Sequence, residues 1–355
     1  MSVFVIAEAG VNHNGDRCKA LALVAAAAKA GADAVKFQTF DADELVTADA
    51  PKAAYQKRTT RVVESHLQML KGLELRRAWH RDLILACRKR RIRFLSSPYD
   101  DASLRFLVDD LKLDTLKIPS GEITNGPLLF EAGKSGRKII LSTGMSTLVE
   151  VEEALGVLAF GMTGKHKAPS RRAFRAAFAS KAGKAALNKK VTLLHCTSQY
   201  PAPVEDTNLR AMATMRDAFG LPVGLSDHTL GTAIPIAAAA LGATVIEKHF
   251  TLDRRLPGPD HTASLEPDEL KAMIAGIRAV ERALGDGVKK PRPSERETRK
   301  VARKSLVATR HIKKGETVDG TDLKAKRPGT GVSPMLYWDW VGRKATRGVA
   351  RGKRL

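Results

Sequence analysis

Residues 222–250 read PVGLSDHTLGTAIPIAAAALGATVIEKHF. Two short strand-like runs, 222–226 and 244–249, flank an alanine-rich helical stretch at 232–241. A strand, a helix and a second strand in so few residues make a parallel crossover unit. The same alternation runs back to the N-terminus, through strand-like 3–8 (VFVIAE), 34–38 (AVKFQ), 92–96 (IRFLS), 114–118 (DTLKI), 138–142 (KIILS) and 191–196 (VTLLHC). Helical stretches such as 16–30, 74–91, 101–110, 146–160 and 207–219 lie between them. Eight strands separated by helices within about 285 residues is the count of an α/β (β/α)8 TIM barrel. A doubly wound sheet is the alternative, but no strand is followed by its G-x-G-x-x-G fingerprint.

The chain has 355 residues, which at roughly 150 per domain suits a large barrel with an appendage. The last barrel helix, 267–284, ends at Gly285, so residues 1–286 read as the barrel. The Pro- and charge-rich stretch 287–300 reads as a linker, and 301–355 as a small β-rich unit. The longest apolar stretches, such as 234–241, fall far short of the ~20 residues that span a bilayer. The N-terminus MSVFVIAEAG has no basic region of the kind that opens a signal peptide, and a soluble cytoplasmic protein is the expectation. Three scattered cysteines, Cys18, Cys87 and Cys196, suit neither a disulfide framework nor a zinc knuckle.

The formal net charge is +22. Residues 161–190 hold nine Lys/Arg and no acid, 286–304 eight against three, and 343–355 six against none. These segments account for 20 of the 22 charges, so the excess lies in an insertion, a linker and a tail. Such clusters attract phosphates without sequence preference. No zinc-finger spacing or aromatic RNP strand accompanies them, and a solvated basic surface is expected rather than a nucleic-acid-binding protein.

A barrel presents its functional side chains where strands end. Here those ends carry Glu8, Lys36 with Gln38, Ser96 and Ser97, Lys117 with Ser120 and Glu122, Ser142, Ser226–Asp227–His228, and Glu247–Lys248–His249. Any one of these has a bland role: a lysine reaches solvent, a serine caps a helix. The whole set has none, because converging unpaired charges in one mouth is costly. His228 and His249, with Asp227 and Glu247 beside them, end adjacent strands within reach of one divalent ion acting as a Lewis acid. His13 has a similar place but no spacing partner and reads as a loop residue. Lys36 and Lys117, with hydroxyls at Ser97, Ser120, Ser142 and Ser226, make a phosphate-sized pocket. A Schiff-base lysine, as in a pyruvate aldolase, is the rival role.

The runs FVIAEAGVNHNGD, GADAVKFQTF, LKIPSGEITN, IILSTGM, LLHCTSQYPAP, GLSDHTLG, VIEKHFTLDRRLPGPDH, ARKSLVATRHIKKGE and KRPGTGVSP together resemble the bacterial sialic acid synthase family, from Val3 to about Lys344. The resemblance implies a (β/α)8 barrel followed by an antifreeze-protein-like (SAF, β-clip) domain. It implies condensation of phosphoenolpyruvate with open-chain N-acetylmannosamine, giving N-acetylneuraminate and phosphate. It further implies a homodimer dependent on Mn²⁺ or Mg²⁺, in which one protomer's C-terminal domain covers its partner's barrel mouth.

By motif, His228 and His249 match the family's metal ligands, and Lys36, Lys117, Ser97, Ser120, Ser142 and Ser226 match its phosphoenolpyruvate-binding positions. Glu8 and Glu122 are the acid/base candidates, with Lys117 assisting catalysis. Gln38, Tyr200 and Asp260 match positions lining the sugar, and Arg327 matches an arginine presented across the dimer. Ser198 stands where some members have asparagine, and the insertion at 161–190 has no counterpart; it is expected on the barrel's far face. The stretch 50–75 also resembles synthases of legionaminic acid, which take a 2,4-diacetamido-trideoxyhexose. N-acetylneuraminate is the first expectation, legionaminate the alternative, and pseudaminate stands behind both.

Overall fold

The computed structural model describes residues 2–60, 64–164 and 168–355. Residues 61–63, within the stretch 50–75, and residues 165–167, within the insertion, lie outside the described residues. The chain divides into two units, Met1–Gly285 and Asp286–Leu355.

In the first unit eight parallel strands form one sheet: β1 (Phe4–Gly10), β2 (Ala34–Thr39), β3 (Arg93–Pro98), β4 (Thr115–Ile118), β5 (Lys138–Ser142), β6 (Val191–Cys196), β7 (Val223–Asp227) and β8 (Val245–His249). β1 pairs with both β2 and β8, which curls the sheet into a barrel. The ladder runs without a break from β3 round to β4; β3 and β4 are neighbours with no ladder between them. Each strand lies within one or two residues of the span its sequence predicts. β-branched and aliphatic runs buried on both faces account for that agreement, since helices cover the outside and side chains fill the inside.

Alternation along the strands then sorts the side chains. Ile6, Ala34, Leu95, Ile140, Leu194 and Val245 meet in one apolar layer that plugs the barrel interior. A separate and larger core lies between the sheet and its helices, built from residues such as Val5, Val35, Leu116, Leu141, Leu193, Leu225 and Ile246. β7 passes so close to β8 that a Cβ on Gly224 would stand 2.2 Å from the Val245 carbonyl oxygen, which is why this position has no side chain. The helix Arg17–Ala30 starts at Asp16, whose carboxylate accepts from the Cys18 and Lys19 amides, and stops at Gly31 with φ 87°.

The insertion departs from expectation. Its helix Arg171–Ala179 packs Phe174 against Phe160 (ring centroids 5.2 Å apart) and against Gly156 of the helix Leu148–Thr163. Phe178 and Arg175 line a cavity shared with Ile123 and Thr124, which follow the end of β4. The insertion therefore climbs the barrel's outer side toward the strand ends instead of staying on the far face. Two phenylalanines four residues apart give the helix an apolar stripe, which is partly buried against the barrel while Arg171, Arg172 and Arg175 stay exposed. The helix Lys181–Lys190 leads straight into β6.

In the second unit, β9 (Ser305–Ala308) pairs antiparallel with β10 (Leu323–Lys326). Further bridges join Val307 to Arg354, Ile312 to Val349 and Thr317 to Lys344. Leu306, Ala308, Ile312, Val318, Leu323, Ala345 and Val349 form its core. The stretch expected as a plain linker contains a helix, Arg296–Ala302. Among the described residues no helix is long and apolar enough to cross a membrane.

Candidate active site

Two residues beyond each member of the apolar plug, the next inward position on the same strand is polar: Glu8, Lys36, Ser97, Ser142, Cys196 and Glu247. The same spacing puts Lys117 and Ser226 on β4 and β7. One more step brings Gln38, Ser198, His228 and His249. A cavity of about 300 Å³ opens here, lined among others by Glu8, Lys36, Gln38, Lys117, Ser120, Ser142, Tyr200, Ser226, His228 and His249. A larger cavity of about 450 Å³ lies under the insertion helix, but the strand-end groups do not reach it, and the chemistry belongs to the smaller one.

Charge compensation organises the floor. Lys36 Nζ lies 2.7 Å from Glu8 Oε2 and 3.8 Å from Glu247 Oε2, and donates to Ser97 Oγ at 3.1 Å. Lys117 Nζ lies 3.2 Å from Glu247 Oε1, which also accepts from Ser226 Oγ at 2.9 Å. All six charged and hydroxyl-bearing partners are buried. Burial pushes the Glu8 carboxyl up to about 7 in spite of Lys36. For Glu247 burial works in the same direction, but Lys117, Lys36 and the Ser226 hydroxyl overcome it and hold the group down at about 2. Burial likewise opposes the charge on Lys36, yet Glu247 and Glu8 raise its pKa. Lys117 is lowered, by burial first and then by Lys36. With Glu247 ionised and Glu8 only partly so near pH 7, the two lysines outweigh the carboxylates, and the floor keeps positive charge for an anion. Ser142 Oγ, buried beside them, makes no hydrogen bond to a described residue, which leaves it free to meet a ligand oxygen.

The two imidazoles come together as expected, with centroids 5.4 Å apart. His228 Nδ1 lies 2.7 Å from the Thr197 carbonyl oxygen, so Nε2 is the nitrogen left for a ligand. His249 is held well below the ordinary histidine range by burial, then by His228 and Lys36; its Nδ1, 3.8 Å from Asp260 Oδ2, has no hydrogen-bond partner among the described residues. Burial pushes Asp260 up to about 6. Gly10, at φ 52°, turns the chain where a Cβ would stand 3.3 Å from Glu8 and 3.4 Å from His249. A buried, neutral imidazole with an unused nitrogen beside a second imidazole is a donor set that suits a divalent ion. Among the described residues no group of three or more His, Cys, Asp or Glu is arranged to hold a metal, so the histidine pair is the donor set that the mouth offers.

The sugar-side candidates are partly assembled. The Tyr200 ring stands 4.1 Å from that of His228 and 5.1 Å from that of Tyr55. Ser120 Oγ accepts from the Gly144 amide at 2.9 Å. Glu122, half-buried on the turn Ser120–Glu122, does not line the cavity and accepts from Asn125 Nδ2 at 2.7 Å; burial raises its pKa. Arg327 belongs to the second unit, where it is exposed. His13 is buried, with Nδ1 accepting from the Gly15 amide, and is a structural residue of its loop.

Sequence reasoning missed Tyr55, Tyr99, Met145 and Cys196 as lining, and gave Glu247 no role of its own. Cys196 and Glu247 were readable from the inward spacing. Tyr55 comes from the helix Ala54–Thr60 on a long loop after β2, where no periodicity points at the mouth.

The sequence profile of the NeuB family matches residues 23–289, and that of the SAF domain matches residues 303–353. The chain is 50% identical over 343 residues to the N,N'-diacetyllegionaminic acid synthase of Campylobacter jejuni, covering 97% of this chain and 96% of the relative. It is 43% identical to the enzyme of the same description from Legionella pneumophila, covering 100% and 94%. Among solved structures, the N-acetylneuraminic acid synthetase of Leptospira borgpetersenii superposes with a TM-score of 0.67 at 33% identity, covering 84% of this chain and 90% of that one.

Proposed function

We propose, for a chain that belongs to the NeuB family and ends in a SAF domain, that it condenses phosphoenolpyruvate with a 2,4-diacetamido-trideoxyhexose to give N,N'-diacetyllegionaminate and phosphate. That it is an enzyme of the nonulosonate-synthase kind follows from the family. The observation that carries the choice of sugar is the 50% identity, over nearly the full length of both chains, to a legionaminic acid synthase. The sequence expectation ranked N-acetylmannosamine first, and that ranking gives way to the alternative. The pocket supports it: Tyr55, Tyr99, Tyr200 and Met145 supply apolar surface for a methyl and a second acetamido group in place of two hydroxyls.

Lys36, Lys117, Ser142 and Ser226 hold the phosphate and carboxylate of phosphoenolpyruvate at the barrel floor. C3 of the enol phosphate attacks the aldehyde carbon of the open-chain sugar, whose carbonyl π electrons pass to the oxygen; that oxygen takes a proton from solvent and becomes a hydroxyl of the product. His228 and His249 would hold Mn²⁺ or Mg²⁺, which when bound supplies Lewis-acid polarisation of the aldehyde oxygen. Tyr200, Gln38 and Asp260 orient the sugar. The cationic centre left at C2 takes up water, and Glu122 or Glu8, both with raised pKa, accepts its proton. The intermediate then collapses with C–O cleavage, and the two lysines balance the charge of the departing phosphate. No imine to a lysine is required: both lysines are committed to carboxylates. The SAF domain of a second copy presents Arg327 to the sugar.

The test is an assay of purified protein with phosphoenolpyruvate and each of three sugars, N-acetylmannosamine and the precursors of legionaminate and pseudaminate, read as phosphate release and product mass. The reading requires kcat/KM to be highest for the legionaminate precursor, and a preference for N-acetylmannosamine would overturn it.

A further inference from the structure

Asp227 and Lys248 stand directly opposite each other on β7 and β8. Their side chains leave the strands on the side away from the mouth, and both are buried, Lys248 completely. Lys248 Nζ donates to Asp227 Oδ2 at 2.5 Å and also to the Thr229 carbonyl oxygen. Asp227 in turn accepts from the Thr229 amide and from Thr229 Oγ1, each at 3.1 Å. Each member of this pair is the chain neighbour of one imidazole: Asp227 precedes His228, and Lys248 precedes His249.

We propose that the Asp227–Lys248 ion pair is the positioning element that sets the separation and orientation of His228 and His249. The pair touches neither the cavity nor any ligand bound there. Its ties close the turn 227–229 around His228 from both sides, and the lysine fastens that turn to the strand that carries His249. Stability alone does not explain it, because a buried ion pair is commonly no better than well-packed apolar residues of the same volume. What a charged pair supplies and an apolar pair does not is a single register between two strand ends. Partners that hydrogen-bond metal-binding histidines typically govern affinity about 10–100-fold; the Asp227–Lys248 pair acts instead through the backbone that carries both rings, and an effect at the low end of that range is expected.

The inference rests on the two imidazoles acting together as proposed above, and the experiment separates the two. Three variants serve: Lys248→Met, Asp227→Asn, and the double variant, in which no charge is left unpaired. Mn²⁺ alone is titrated into metal-free protein and the unbound ion is followed by electron paramagnetic resonance. Melting temperatures and the imidazole NMR signals of the metal-free proteins are recorded alongside. The double variant is expected to melt within a few degrees of the parent, yet to bind Mn²⁺ at least about tenfold more weakly, with both imidazole signals moved. A double variant with parental melting, parental Mn²⁺ affinity and unmoved imidazole signals would overturn the proposal. If Lys248→Met does not fold, the double variant carries the comparison. If the parent itself binds no Mn²⁺, the metal reading falls, and the imidazole signals alone decide: moved signals sustain the positioning role, unmoved signals end it.

Discussion

Lys117 Nζ lies 3.2 Å from Glu247 Oε1, deep in the barrel and away from solvent. Because Lys36 stands 3.8 Å from the other oxygen of the same carboxyl group, Glu247 is what allows two buried lysines to share one floor. Removing one member of such a set strands the others. Glu247→Gln is expected to lower stability by about 3 kcal/mol, since an amide keeps hydrogen bonds to Ser226 and Lys117 but no charge. Adding Lys117→Met should recover part of that loss while activity stays absent. Urea unfolding of the three proteins measures it; a Glu247→Gln protein as stable as the parent would show that the lysines do not need the carboxylate.

Exhaustive chelation should abolish condensation, and Mn²⁺ or Mg²⁺ should restore it. His228→Ala should lose activity while keeping its far-UV circular dichroism spectrum and its melting temperature within a few degrees. Full turnover in the chelated protein would remove the metal role of His228 and His249.

Arg327 is exposed in the second unit, and the proposed reading brings it to a second copy's mouth. Arg327→Ala should raise the KM for the sugar far more than that for phosphoenolpyruvate. Mixed Arg327→Ala and His228→Ala subunits should regain part of the activity, because one mouth in each mixed dimer then has both an intact histidine pair and an intact arginine. Mixtures that stay inactive, or a fully active monomer, would refute the cross-subunit role.

His80 is buried, with Nε2 2.8 Å from Thr39 Oγ1, and burial lowers its pKa to about 4. An unfolded histidine titrates near 6.5, so between pH 6.5 and 4 the unfolded chain binds a proton that the folded one refuses. Stability is therefore whole above pH 6.5 and is lost as pH falls from 6.5 toward 4. By pH 5 the loss from this group is about 2 kcal/mol. His80→Gln, which carries no charge at either pH, should shrink the difference in unfolding free energy between pH 7.5 and pH 5 by about that amount. An unchanged difference would mean that the imidazole is protonated in the fold.

Phe174 anchors the insertion helix on Phe160. Phe174→Ser should expose the segment 168–180 to limited proteolysis while kcat stays within about twofold, since the helix packs on the outer side of the barrel. A collapse of kcat would tie the insertion to the loop that carries Glu122.

The sequence by itself determined the order of the elements and much of the floor. Strand periodicity is local, so an apolar residue at 6, 34, 140 or 245 already places Glu8, Lys36, Ser142 and Glu247 two steps further along the same inner face. The histidine pair was legible for the same reason, because His228 and His249 close adjacent strands. What only the tertiary structure decided are the relations between distant segments. Nothing in local spacing announces that Tyr55 leaves its loop to stand against Tyr200, that Lys248 turns outward to grip Asp227, or that the basic insertion lays its phenylalanines on the barrel's side. Nor does spacing say which carboxyl is raised: burial pushes Glu8 up although Lys36 lies 2.7 Å away, whereas Lys117 at 3.2 Å, Lys36 at 3.8 Å and the Ser226 hydroxyl together hold Glu247 down. Those distances exist only after the sheet has curled β1 onto β8, since an ion pair falls off with separation in space and not with separation along the chain.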